Sequence, residues 1–329
     1  MDFLIEYGMF LAKLSTVVVL LLIAIGIIIF IIVRTKGEGE HLSIKNINEK
    51  YDTMSLMLNS QILDKKDFKK YLKKQKQEHK DKSKEDKDDK KKLFVLDFKG
   101  DIKASSVSSL REEITAILTI ANDKDEVLVM IESGGGTVHG YGLGASQLRR
   151  IRDKGIRLTA SVDKVAASGG YMMACVADRI IAAPFAIVGS IGVLAQIPNF
   201  HRLLKKMDID FEQITAGEYK RTLTLFGENT EKDREKFKEE LEDTHKLFKE
   251  FVKENREQVD INSIATGEHW YGKRAIDLKL VDELITSDDY LVNAARESDI
   301  FEIKYERKKN LSEKLFSIGA NILDKMEGH

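Results

Sequence analysis

Residues 158–177 read Leu158-Thr-Ala-Ser-Val-Asp-Lys-Val-Ala-Ala-Ser-Gly-Gly-Tyr-Met-Met-Ala-Cys-Val-Ala177. The run from Leu158 to Val162 has the length and composition of a buried strand. A small polar residue and two glycines, Ser168-Gly169-Gly170, then open a second apolar run, Tyr171 to Ala177, which reads as a buried helix. Glycine lets a chain turn sharply and lets a substrate approach the backbone closely. The free N–H groups of a helix's first turn face any anion that forms there. This arrangement suits a nucleophile beside an oxyanion site. It also suits a serine that merely caps a core helix, so the pentapeptide alone leaves both readings open.

The flanking sequence repeats the rhythm. Leu93 to Phe98 reads as a buried strand ended by Lys99-Gly100. Ser109-Leu-Arg-Glu112 matches a capping box, opening a helix with Leu110, Ile114, Ile117, Leu118 and Ala121 on its apolar face. Val127 to Ile131 is a strand, Ser133 to Gly136 a loop, and a helix runs from about Gly140 to Asp153. Ile180 to Ala182 is a short strand, Val188 to Val193 an apolar piece broken by glycines, and Glu231 to Glu257 a long amphipathic helix. Strand alternating with helix implies crossover units, a mainly parallel sheet and an α/β fold. Sites in such folds form at the carboxyl ends of strands. Both glycine-rich loops follow strands. Set side by side, they aim the N–H groups of Gly135 and Gly169 at one oxygen, and each such donor is typically worth about 3 kcal/mol in acyl transfer. A triple glycine that is only a flexible turn is the competing reading.

A nucleophilic serine needs a base. His139, beside the glycine loop, has a better positional case than His201, His245 and His269. Among lysines, Lys220 stands in a run of small and apolar residues, Thr215 to Phe226, and Lys164 is a further candidate. Cys175, the single cysteine, has no internal disulfide partner and reads as core.

Composition bounds the rest. Lys and Arg number 53 against 54 Asp and Glu, a formal net charge of −1, so nothing marks a nucleic-acid partner. Leu14 to Val33 carries no charge and is long enough to cross a bilayer as a helix. It reads as a retained anchor, because no cleavage site follows and no basic n-region precedes it. The expected layout is an N-terminal segment (1–13), a transmembrane helix (14–33), a juxtamembrane helix with a Lys-rich linker (34–92), a catalytic domain (93–300) and a charged tail (301–329). The linker reading covers Gln75 to Lys92, with attraction to acidic lipid headgroups as its functional alternative. Arg34, Lys36 and Lys45 place the bulk of the chain in the cytoplasm by the positive-inside rule, although long domains translocate despite adjacent charge.

Five blocks resemble one family: Phe94 to Ile102, Glu132-Ser-Gly-Gly-Gly136, Asp163 to Tyr171, Val188 to Val193, and Ala216-Gly-Glu-Tyr-Lys-Arg221. Gly267 to Gly272 with Leu280-Val-Asp-Glu283 adds a sixth. The chain resembles the signal peptide peptidase A family of Ser/Lys serine proteases, most closely its short branch. The resemblance implies a Clp/crotonase-like spiral of βαβ units behind one N-terminal transmembrane helix. It implies Ser168 as nucleophile, Lys220 as general base, Gly135 and Gly169 as oxyanion donors and Ser190 as a support for the lysine, with no cofactor or metal. It also implies a single-pass bacterial inner-membrane protein with a periplasmic domain and a homo-oligomeric ring whose neighbours can share a site. Its partners would be membrane lipid and polypeptide or signal-peptide substrates. The chain departs from the family pattern at Gly134, where the family usually has proline. A crotonase-like acyl-CoA enzyme and a non-catalytic, polypeptide-binding membrane scaffold are the alternatives.

Overall fold

The computed structural model describes residues 2–35, 40–82 and 90–306. Its contacts divide the chain into two units, Met1–Ser43 with Tyr305–His329, and Ile44–Lys304. In the first unit, helix α1 (Asp2–Thr35) is continuous. Within it, Ile5–Ile27 is long and apolar enough to cross a membrane by length and composition. The helix therefore absorbs the segment before Leu14, because a few charges do not interrupt a run of strong helix formers. Strand β1 (His41–Asn46) follows.

The second unit takes in the end of β1 from Ile44 and continues with two helices, α2 (Ile47–Ile62) and α3 (Lys65–Lys82). Helix α3 covers residues 75–82, where the sequence suggested linker; residues 83–89 lie outside the described part. The α/β core follows as β2 (Lys92–Lys99), α4 (Val107–Leu118), β3 (Glu126–Glu132), α5 (Val138–Asp153), β4 (Arg157–Val162), β5 (Val165–Ala167), α6 (Gly169–Ala174), β6 (Arg179–Ala182) and β7 (Ile187–Gly189). After them come α7 (His201–Lys206), α8 (Glu231–Asn255), α9 (Ile261–Ile264), β8 (His269–Tyr271), α10 (Gly272–Ala275), β9 (Glu283–Leu284), α11 (Ser287–Ala294) and β10 (Asp299–Glu306).

Seven strands form one sheet in the order β1-β10-β2-β3-β4-β6-β9, and every pairing from β10 to β9 is parallel. Both faces are covered, so the strands are apolar runs and not alternating ones. Leu96, Val129, Ala160 and Ile180 are fully buried, and so are Leu110 and Ile114 of α4 and Tyr141 and Leu148 of α5. A second sheet, β5-β7-β8, stands beside the first. The two are joined where Ser133, just past β3, bridges Ala166 of β5. Ser133 N–H donates to Val165 O at 2.9 Å, and Ala167 N–H donates to Ser133 O at 3.0 Å.

Two expectations change. Helix α4 starts at Val107 with Ser106 as N-cap, not at a Ser109 capping box. Asp101 accepts hydrogen bonds from Ser105 N–H (2.8 Å) and Ser105 Oγ (2.9 Å), and this turn launches the helix earlier. Residues 301–306, read as the start of the charged tail, are strand: Ile300 pairs with Leu93 and Glu302 with Val95, and Ile300 and Ile303 are buried. The tail from Arg307 lies outside the described residues.

Candidate active site

Strand β5 delivers the chain to Ser168, whose φ of 52° and ψ of −118° fall where L-residues are rarely found. Ser168 N–H donates to Gly189 O at 2.8 Å and Ser168 O accepts Met172 N–H at 2.9 Å, so both sides hold the strained turn in place. The Ser168 side chain makes no capping hydrogen bond to α6. The capping reading of this serine therefore fails, and the geometry is that of a strand–turn–helix elbow presenting its hydroxyl. The glycines behind it are required by packing. A Cβ on Gly169 would lie 2.4 Å from Cγ of the buried Tyr141, and one on Gly170 would lie 2.6 Å from Ser133 O.

The Ser133–Ala166 bridge lays the second glycine loop against this elbow. Gly135 has φ of +91°, and a Cβ there would sit 2.8 Å from both Gly169 N and Ser168 Cβ. The two loops are thus adjacent, as an oxyanion site requires. Gly135 N–H donates to Ser133 Oγ at 3.0 Å. Ser133 Oγ in turn lies 2.5 Å from Tyr141 Oη, which donates to Asp101 O at 2.8 Å. Burial raises the Tyr141 phenol above its ordinary range, so it remains a donor. Ser133 and Tyr141 are the residues that sequence reading missed as site elements. Their signal was a serine directly before the glycines and an aromatic on the buried face of the next helix.

Gly134 stands apart from its neighbours. A Cβ there meets nothing within 4 Å, and its φ lies outside the left-handed region. Ser133 before it is held in a bridge, the extended conformation that a following proline requires. Gly134→Pro is expected to fold and to raise stability by about 0.4–1 kcal/mol through the unfolded state. Thermal unfolding of the variant checks this; a lowered midpoint would show that the loop uses glycine's freedom.

A cavity of about 560 Å³ opens over Ser168 and Gly135. Ile102, Met172, Val193, Leu194 and Phe248 make much of its wall apolar, and Ser190 and Thr244 add hydroxyls. Among the described residues, no ionisable side chain lines it. Ser190 also has a positive φ, 53°, and its Oγ lies 3.4 Å from Gly267 O.

Comparison with known proteins adds a lineage to this geometry. The profile of Peptidase family S49 N-terminal matches residues 2–148, and that of Peptidase family S49 matches residues 150–300. The chain belongs to peptidase family S49. It is 50% identical over 324 residues to "Probable protease SohB" of Haemophilus influenzae, covering 95% of this chain and 92% of that one. It is 62% identical over 228 residues to the protein of that name from Buchnera aphidicola subsp. Acyrthosiphon pisum, covering 69% and 68%. "Putative protease MJ0651" of Methanocaldococcus jannaschii is 31% identical over 204 residues, covering 60% and 65%. S49 membership makes the fold Clp/crotonase-like and the activity class peptidase.

Within this S49 chain the structure brings together Ser168, Gly135, Gly169 and Ser190 around one cavity. Lys220 is elsewhere: it is exposed, does not line the cavity, and its N–H donates to Gly217 O at 3.2 Å. Of the apolar residues that follow Lys220, Leu223 is half-buried, but Leu225 and Phe226 give the amine no dry setting within the single chain. Both are exposed, and the Phe226 ring packs toward Phe200 and Phe211, with centroids 6.0 and 5.7 Å away. The histidines do not substitute. His139 is exposed, and His245 Nε2 lies 3.3 Å from Ile191 O without reaching the cavity wall. Lys164 is held by Glu132 at 3.0 Å. Cys175 is buried, and its thiol is pushed up to about 12 by desolvation, which leaves it inert.

Proposed function

We propose that this chain is a membrane-anchored serine endopeptidase in which Ser168 is the nucleophile and Lys220, supplied by a neighbouring subunit, is the general base. The observation that carries the reading is the Ser168 elbow: strained, uncapped and set against Gly135, in a cavity that no ionisable side chain among the described residues lines. Such a serine is unreactive until a base arrives. The segment that holds Lys220 also exposes Met207, Ile214, Tyr219 and Leu225, a surface suited to burial against a second copy. Docking there would desolvate the amine, the usual way a lysine becomes a base near neutral pH.

The reaction follows from this placement. Ser168 Oγ attacks the peptide carbonyl while its proton passes to the Lys220 amine. The oxyanion is taken by Gly169 N–H and by Gly135 N–H, which must leave Ser133 Oγ to reach it. Lys220 returns the proton to the leaving amine, and water then hydrolyses the acyl-enzyme with Lys220 again as base. The apolar wall favours small to medium apolar side chains at the scissile residue, consistent with membrane-associated polypeptides or signal-peptide remnants. Helix α1 would hold the protein in the bacterial inner membrane by a single pass, with the domain on the periplasmic face and the subunits in a ring.

The test is incubation of the purified full-length protein, in detergent, with an unfolded polypeptide and a signal peptide, with products mapped by mass spectrometry. Cleavage after apolar residues is expected. An oligomeric preparation that cleaves neither substrate would overturn the reading.

A further inference from the structure

Tyr141 backs both halves of the oxyanion site. Its ring lies where a Cβ on Gly169 would fall, 2.4 Å from Cγ. Its hydroxyl reaches the other donor through Ser133. Each hydroxyl has one hydrogen. Tyr141 Oη directs its own to Asp101 O at 2.8 Å, so in the 2.5 Å pair Ser133 Oγ donates and Tyr141 Oη accepts. Gly100 O, at 3.4 Å, is the weaker of the two acceptors open to Ser133. The lone pair left on Ser133 Oγ takes Gly135 N–H at 3.0 Å. The bonds form a one-way chain from Gly135 N–H through Ser133 and Tyr141 to Asp101 O, and each hydroxyl that donates becomes a better acceptor. Ser133 and Tyr141 are 2% and 0% exposed, so water does not compete along it.

This chain turns Gly135 away from the reaction. Gly135 and Gly169 stand on the cavity wall, and Ser133 does not. An amide bonded to Ser133 therefore points behind the wall. Gly169, the first residue of α6, has no intrahelical acceptor, so its N–H remains for the oxyanion. The resting site thus offers one donor instead of two. The glycine loop is built to deliver the second. Its ends are pinned, by Ser133 N–H to Val165 O at 2.9 Å and by Thr137 N–H to Ile102 O at 2.8 Å. Between the pins the Gly134–Gly135 peptide is free to rotate at little cost. Glycine takes either sign of φ about equally well, Gly135 stands at +91°, and Gly134 has open space around it.

We propose that Ser133 is a positioning residue that holds the Gly135 amide out of the oxyanion site until negative charge develops there, when the Gly134–Gly135 peptide rotates the amide toward it. Competition between acceptors sets the timing. Ser133 Oγ is a neutral acceptor already polarised by Tyr141, and a neutral substrate carbonyl has no advantage over it. An oxyanion has, because hydrogen bonds to an ionised acceptor are roughly twice as strong as neutral ones. The amide is thus recruited in the transition state and withheld from polypeptide that is merely bound. The restraint slows turnover, since the Ser133 bond must break each time. The proposal rests on the reading of Ser168 as nucleophile and Gly135 as oxyanion donor, and adds a control built into that site.

Ser133→Ala removes the acceptor and leaves Tyr141 Oη donating to Asp101 O. The assay uses the full-length protein in detergent, an unfolded polypeptide substrate, and two probes of one sequence, a peptide ending in alaninal and the same peptide ending in alaninol. The aldehyde forms a hemiacetal at Ser168: Oγ adds to the carbonyl carbon, the hydroxyl proton passes to Lys220, and the new oxygen enters the oxyanion site. The alcohol has no carbonyl and reports the cavity wall alone. Ser133→Ala should raise kcat/KM about fivefold, the weight of one buried hydrogen bond, and tighten the aldehyde about as much with the alcohol unchanged. Tyr141→Phe leaves Ser133 a poorer acceptor and should shift both in the same direction by less. A merely structural role for either hydroxyl would not raise them. With wild type active, a fall or no change in kcat/KM for folded Ser133→Ala would overturn the restraint and leave the peptidase reading standing. Should Ser133→Ala fail to fold, the sign of the change in Tyr141→Phe decides in the same way. Equal tightening of both probes would mean that the wall moved and would also overturn it. Absence of cleavage by wild type and both variants would overturn the Ser168 reading and this proposal with it.

Discussion

Ser168→Ala and Lys220→Ala are each expected to lower peptide cleavage by about 10⁴-fold or more, since removing the nucleophile or the base of a catalytic unit costs nearly all of its rate. Both variants should fold. Ser168 makes its packing contacts through backbone groups, and Lys220 is exposed. The more informative result comes from co-assembly. In a ring built by a head-to-tail interface, each site takes Ser168 from one chain and Lys220 from the next. Mixed in equal amounts before assembly, the two inactive variants should recover about a quarter of the wild-type rate, because about one interface in four unites an intact serine with an intact lysine. A site built within one chain recovers nothing in the same mixture. The double variant mixed with wild type sharpens the contrast: shared sites predict about a quarter of full activity, and sites within one chain about half. Absence of recovery in a verified mixed ring would reject the shared site. An active Ser168→Ala ring would reject the nucleophile itself.

Asp282→Ala is expected to destabilise the domain by about 3–5 kcal/mol, the range for stranding a buried charge. Arg256, only 2% exposed, caps α8 and holds both oxygens of Asp282 at 2.8 Å through Nη1 and Nη2. Its Nη2 also donates to Lys279 O at 2.8 Å. Asp282 additionally accepts Ile180 N–H at 2.7 Å, so one carboxylate ties the end of α8 to the start of β6. Nearby, Tyr171 Oη donates to Leu280 O at 2.9 Å, and Tyr171 sits on the short helix that begins at the Ser168 elbow. Loss of Asp282 leaves the guanidinium buried without its partner and loosens the support of the elbow. Replacing both partners, as Arg256→Met with Asp282→Leu, should recover most of the loss, because no charge is then stranded. Denaturant unfolding of the three proteins checks this. Equal stability of Asp282→Ala and wild type would show that water reaches Arg256 and that the pair is not buried in solution.

Much of the fold was legible because parallel strands covered on both faces are written as continuous apolar runs. Val127 to Ile131, Leu158 to Val162 and Ile180 to Ala182 fall within β3, β4 and β6. Strand β10 was hidden for the opposite reason. It lies near the edge of the sheet, and only Ile300 and Ile303 of it are buried among charged residues. The start of α4 was misplaced because a side chain outside the helix, Asp101, sets it.

At the site, local sequence was enough to mark Ser168, Gly135 and Gly169 as candidates, since tight turns and close backbone approach restrict which residue types can stand there; Ser190 came from the family resemblance. Residue order could not show that these positions meet. That depends on the Ser133–Ala166 bridge, a contact between segments more than thirty positions apart, and on the Tyr141 ring that leaves room only for glycine at position 169. Nor could it show that the Ser168 side chain leaves its helix uncapped or that no ionisable side chain among the described residues lines the cavity. Residue type and spacing carry local backbone preference and burial pattern. Long-range pairing and the direction in which a polar group points arise only when the packed elements compete for the same space.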